Sequence, residues 1–169
     1  PPTIGKRSVL AMLVEFPDVK HRTDRGQIGK RILQDMADYF RDVSYGQMRV
    51  TGDTTDWITL PTPARAFGIS EWGSPNSNRW LFIQQTIEAA DAFVDYSSYD
   101  TFFIVAAGEG TVWAFSASVF LRTNDGVTIE GVTVQTEFAP FGTFAHELAH
   151  QLGLPDLYDY GMASRPSVY

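Results

Sequence analysis

Phe144-Ala145-His146-Glu147-Leu148-Ala149-His150-Gln151-Leu152-Gly153 is the stretch on which the reading of this chain turns. His146 and His150 stand four residues apart, so on an α-helix they lie about 40° apart on one face, one turn above the other. Two imidazoles so placed can reach one metal ion. Glu147 sits about 100° round from His146, near enough to hydrogen-bond a water on that ion without becoming a ligand itself. The plainer reading is a pair of solvated or satisfied core histidines. Composition weighs against it: the chance of an HExxH pattern arising somewhere in 169 residues with three His is about 0.2%, and the pattern takes two of the three. The other helix positions are largely Leu and Ala, which can bury the helix beneath a cleft.

A catalytic zinc site needs three protein ligands and an open fourth position. Gly153 is placed to end the helix in the left-handed conformation, after which Leu154-Pro155-Asp156 leads back toward the ion. Asp156 thus occupies the third-ligand place in the pattern HExxHxxGxxH, with Asp replacing His. Its other reading is a loop carboxylate that accepts backbone N–H groups. His21 is the remaining imidazole, and its setting in Lys20-His21-Arg22 reads as a solvated surface loop. With no Cys in the chain, disulfide scaffolds, thiol nucleophiles and Cys-ligated zinc are excluded.

Upstream of the motif the chain alternates strands and helices. Ser8 to Val14 is apolar at every second residue on both faces and is followed by Pro17, which predicts a central strand covered on two sides. Ile28, Ile32, Leu33, Met36, Tyr39 and Phe40 recur at helical spacing, with Thr23 or Asp24 placed to cap, predicting a helix over about 25–43. Met48-Arg49-Val50-Thr51 and Trp57-Ile58-Thr59-Leu60 read as two β pieces separated by a turn at Gly52 to Asp56. Residues 61–75, rich in Pro and Gly, read as a loop. A second helix is expected over about 77–94, where Ile83, Ile87, Ala90 and Val94 share a face, and a buried strand over 101–107. Asn124-Asp125-Gly126 within 111–138 is a hairpin signal. The sum is an α+β chain: one domain over 1–169, a mixed twisted sheet with packed helices, and an HExxH helix last.

The segment HELAHQLGLPDLYD resembles the active-site segment of the immune inhibitor A family of secreted zinc metallopeptidases, itself similar to the metzincins. Val9 to Asp18, Tyr39 to Met48, Trp57 to Pro61 and Gly142 to Asp159 resemble the family's pattern in order, so the likeness covers nearly the whole chain. It implies a zincin or metzincin-like catalytic domain in which His146 and His150 hold Zn²⁺ and Glu147 is catalytic. Protein or peptide substrates and a secreted protein made as a zymogen are implied as well. The third ligand is Asp156 or a side chain from beyond residue 169.

Chemically, such a site activates a water for attack on a peptide carbonyl, with Glu147 taking the proton and returning it to the leaving amine. Tyr158 and Tyr160 are candidates to hydrogen-bond the oxyanion, or are aromatic core or rim residues. Peptides bind such sites by adding a strand to a sheet edge; Val112 to Leu121 is the candidate edge, an interior strand being the alternative. A non-catalytic zinc module that keeps the fold is the competing function, against which Glu147 argues, and an esterase or amidase acting on small substrates is a third. Asp91, Asp95 and Asp100, and again Asp156 and Asp159, are candidate structural Ca²⁺ ligands, or solvated faces.

The net charge of −7 is the wrong sign for collecting phosphates, so neither nucleic acid nor anionic membrane is an expected partner. No run approaches the roughly 18–20 apolar residues that cross a bilayer. The chain opens at Pro1-Pro2-Thr3, as a processed or a trimmed chain would. Met162 follows Asp156 too closely to be a metzincin Met-turn, so the C-terminal subdomain and Met-turn are expected to lie elsewhere, on a separate C-terminal fragment of the same precursor or in a part of the protein outside this chain.

Overall fold

The structure is a computed structural model that describes residues 4–70 and 77–155. Its frame is a five-stranded sheet in the order β2-β1-β3-β5-β4. The strands are β1 (Gly5–Glu15), β2 (Met48–Thr59), β3 (Thr101–Ala106), β4 (Phe115–Arg122) and β5 (Thr128–Thr136). The first four in spatial order run parallel, and β4 returns antiparallel to β5 at one edge.

β1 is central because it can be buried on both sides. Leu10, Met12 and Val14 face one apolar cluster, Val9, Ala11 and Leu13 the other, and all six are at most 2% exposed. Such continuous apolar runs belong to parallel strands covered by helices on both faces. On one face lie α1 (Arg25–Lys30), a π-helical turn (Arg31–Asp35), α2 (Met36–Val43) and α5 (Phe141–Gln151). On the other lie α3 (Ala64–Phe67) and α4 (Arg79–Ala90), which bring in Phe67, Phe82, Ile83 and Ile87.

Asp24 caps α1: its carboxylate accepts from the Gly26 amide, and the Gln27 side chain accepts from the Asp24 amide in return. From there to Val43 the chain stays helical, and Ile28, Ile32, Met36 and Phe40 are buried along it. Across the same face, Phe144 of α5 meets Phe103 of β3 edge-on, with ring centroids 5.8 Å apart. Both rings are fully buried, so truncating Phe144 to Ala costs about 3–5 kcal/mol and loosens α5 from the sheet.

Two expectations are corrected. The two β pieces over 48–60 are one strand, because the predicted turn is a bulge. Ala11 pairs with Thr54 and Leu13 with Trp57, so β2 carries one extra residue, and the Leu13 amide donates to the Thr55 hydroxyl at 2.9 Å. Gly52 is required there: at φ +150° a Cβ would stand 1.8 Å from the Val9 carbonyl oxygen. The second correction concerns α4, which stops at Ala90 rather than near Val94. The chain is drawn off toward the β4–β5 hairpin, where Asp91 accepts from the Asn124 amide and Asp125 from the Tyr96 amide. Within the stretch read as a loop, α3 forms a single turn closed by Gly68 at φ +59°.

Candidate metal centre

α5 returns from the carboxyl end of β5 toward the amino ends of β3 and β5. Phe144, Ala145, Leu148 and Leu152 face the sheet and are buried. His146 and His150, on the adjoining face, are half-buried, and Glu147 between them is 6% exposed. One ligand atom from each of the three lies within 4.8 Å of the other two. Among the described residues no other group of three or more His, Asp or Glu is gathered closely enough to hold an ion.

The Nε2 atoms of His146 and His150 are 3.2 Å apart, with the rings nearly perpendicular at 81°. Two bonds of about 2.0–2.1 Å to a tetrahedral zinc place their nitrogens about 3.3–3.4 Å apart, so this spacing fits one shared ion. The remaining nitrogen of His150 supports the same use. Its Nδ1 lies 2.8 Å from the Leu154 carbonyl oxygen, which can only accept, so Nδ1 carries the proton and Nε2 presents its lone pair. Gly153 makes that contact possible. At φ +88° it ends the helix in the left-handed conformation, and the Leu154 amide donates back to the Ala149 carbonyl.

A polar seam holds this turn of helix against the sheet. The Ser116 hydroxyl of β4 lies 2.9 Å from the Glu147 carbonyl oxygen and 3.0 Å from the Thr133 hydroxyl of β5. The Gln151 side-chain amide donates to Thr133 Oγ1 at 2.6 Å and to the Phe102 carbonyl of β3 at 3.4 Å. Sequence reasoning passes over all three residues, since Ser, Thr and Gln at these spacings carry no motif; the alternation of Ser116, Ala117 and Ser118 is their one trace. Ser116 to Ser118 also line a cavity of about 610 Å³ with His150, Gln151 and Arg7.

Of the other candidates, the structure keeps His21 apart from the cluster. Its Nδ1 is 2.7 Å from Glu15 at the carboxyl end of β1, and its ring stacks on Trp57 with centroids 4.6 Å apart. It is thus the exposed loop residue that its sequence setting indicates, one face of its ring packed on Trp57. Asp156, the expected third ligand, lies outside the described residues, as do Tyr158, Asp159, Tyr160 and Met162. Asp91, Asp95 and Asp100 each accept from protein donors: the Asn124 amide, the Ser97 amide, and the Ser8 amide respectively. The segment named as substrate edge falls largely on β4, which among the described residues pairs with β5 alone. No helix among them is long and apolar enough to cross a membrane.

Residues 100–168 match the family model of the immune inhibitor A peptidase M6 catalytic domain. That match takes in β3, β4, β5 and α5 with both histidines. Over 92% of its length the chain is also 23% identical to immune inhibitor A of Bacillus thuringiensis subsp. alesti, and the alignment covers 34% of that protein. The chain therefore spans about a third of the curated relative it matches. Motif, family match and relative agree in what the chain is similar to: the catalytic domain of the immune inhibitor A peptidases of family M6.

Proposed function

We propose that the chain is the catalytic part of a secreted zinc-dependent endopeptidase with a zincin or metzincin-like fold. The observation that carries this is the convergence of His146 Nε2 and His150 Nε2, 3.2 Å apart beside Glu147, on a helix within the segment matched to a peptidase catalytic domain. His146 and His150 are the protein's zinc ligands, and Asp156 is the third. When bound, zinc supplies Lewis acidity, which polarises a substrate carbonyl and lowers the pKa of a water.

The chain's own residues do the rest. Glu147 accepts a proton from the attacking water and delivers it to the leaving amine. Leu154 holds His150 in the tautomer that leaves Nε2 bare, and β4 offers its open edge to an extended peptide. Secretion, synthesis as a zymogen, and completion of the cleft by a C-terminal fragment of the same precursor rest on the resemblance to immune inhibitor A.

Hydrolysis of casein, with and without a zinc chelator, tests the reading together with metal analysis. One zinc per chain and chelator-sensitive hydrolysis are expected. Zinc without hydrolysis of casein or small esters points to a non-catalytic module, and absence of zinc after reconstitution of the folded chain refutes the metal site. Asp156→Ala weakens zinc retention; if it does not, the third ligand is not Asp156. Full activity from a lone 18.8 kDa species refutes the need for a second fragment.

A further inference from the structure

The polar seam under the active-site turn has a direction. The Phe102 carbonyl can only accept, so the group of Gln151 that faces it is the amide nitrogen, and that nitrogen also donates to Thr133 Oγ1. Thr133, fully buried, then has one proton to give, and the Ser116 oxygen stands 3.0 Å away. Ser116 in turn has one proton, and the Glu147 carbonyl is 2.9 Å from it, against 3.5 Å from Thr133. Every donor is used once in the order Gln151 to Thr133 to Ser116 to the Glu147 carbonyl. Such a chain polarises cooperatively and admits one register.

It joins the turn of α5 that carries Glu147 to β3, β4 and β5, whereas the Gln135 side chain of β5, 3.3 Å from the Thr143 carbonyl, ties down only the first turn of that helix. The two histidines and Glu147 share one helix, so their mutual spacing is set by α5 itself. What α5 does not set is the distance from Glu147 to β4. The neighbouring contacts of α5 with the sheet, through Phe144, Leu148 and Leu152, are apolar and lack a preferred hydrogen-bond register. The Ser116 bond ends on the backbone of the proposed base and starts on the strand whose free edge is the proposed peptide dock.

We infer that Ser116, backed by Thr133 and Gln151, is a positioning residue that fixes the substrate-bearing strand relative to Glu147. The inference rests on the peptidase reading, with β4 as the peptide dock. It separates two properties that a general loosening of the fold would move together: zinc binding, internal to α5, and turnover, which needs α5 and β4 in register.

The test compares Ser116→Ala with Ser116→Thr in the 169-residue chain together with the C-terminal part of its precursor, using a fluorogenic peptide. In Ser116→Ala kcat falls about tenfold with KM and zinc content unchanged, and Ser116→Thr recovers it. Hydrogen exchange of the amides over 147–152 in the zinc-loaded chain rises in Ser116→Ala and not in Ser116→Thr; this arm needs no turnover. Parental kcat in Ser116→Ala, or parental exchange, overturns the inference. A parent chain that binds zinc but cleaves nothing even when joined by the C-terminal part of its precursor overturns the peptidase reading, and with it Ser116's role toward substrate. Exchange then reports whether the helix-to-strand link exists at all. Should Ser116→Ala not fold, Gln151→Leu removes the first donor of the chain instead. It is expected to lower kcat about threefold with KM unchanged, and an unchanged kcat in that variant overturns the inference.

Discussion

The two ends of the parallel strands use the same residue types to opposite purposes. At the carboxyl end, Glu15 accepts from Lys20 at 2.8 Å, from Thr59 at 2.7 Å and from His21 at 2.7 Å, while Glu137 accepts from the amides of Arg22, Thr23 and Gly108. Burial alone would raise the pKa of both carboxylates; the hydrogen bonds outweigh it, lowering Glu15 to about 2 and Glu137 below its usual range. Toward the amino end, His146 and His150 instead bring their Nε2 atoms to 3.2 Å from each other beside Glu147. A carboxylate and an imidazole whose atoms are bonded within the protein hold a loop. The same residue types gathered on a shared point, as His146, Glu147 and His150 are, are placed to hold the zinc proposed for this site.

Four substitutions bear on that contrast. The largest effect is expected from His150→Ala, which leaves His146 without its partner: one-to-one zinc binding is lost by metal analysis, and peptide hydrolysis falls to background. Glu147→Gln comes next. A neutral amide cannot take a proton from water, so kcat drops by roughly 10²–10⁴ while zinc and fold are kept. Retained activity in this variant would erase the functional difference between the two ends.

Glu15→Gln tests the closed end through pH. The folded pKa is depressed, so the stabilisation from Glu15 is complete above the group's ordinary value of 4.5 and is lost as pH falls toward about 2. The parent's advantage over Glu15→Gln in urea unfolding should shrink by at most about 1.4 kcal/mol per pH unit across that window, for a total of roughly 3 kcal/mol. A constant difference between the two would show that Glu15 is not held ionised by its donors. The smallest effect is expected from His21→Ala, a loss of about 1 kcal/mol in stability with zinc content untouched. Loss of zinc there would make His21 a ligand after all.

How much of this is legible in the sequence depends on the range of the interactions. β1 and β3 announce themselves as continuous apolar runs, and Asn124-Asp125-Gly126 marks its hairpin, because each signal is local. The same holds for HExxH, whose geometry follows from helical spacing alone. The bulge in β2 does not show, since Gly52 is explained by the Val9 carbonyl and Thr55 by the Leu13 amide, both some forty residues away. His21 is exposed as its loop setting indicates, but its stacking on Trp57 does not show in the sequence, because that ring arrives from 36 residues away. Ser116, Thr133 and Gln151 are common polar residues until β4, β5 and α5 are superposed on one another.

The π-helical turn at Arg31–Asp35 gives the first helical segment a phase that an ordinary helix lacks. Ile28, Ile32, Met36 and Phe40 repeat every four residues, and over three such steps an ideal α-helix would carry Phe40 about 120° away from Ile28. The wider turn, in which the Met36 amide reaches back to the Arg31 carbonyl, absorbs part of that drift and keeps all four side chains in the core. Deleting a single residue within 31–35 would regularise the helix and improve its local hydrogen bonding. It would also rotate Met36 and Phe40 out of step with α5, so a change favourable to the isolated helix would be unfavourable to the protein.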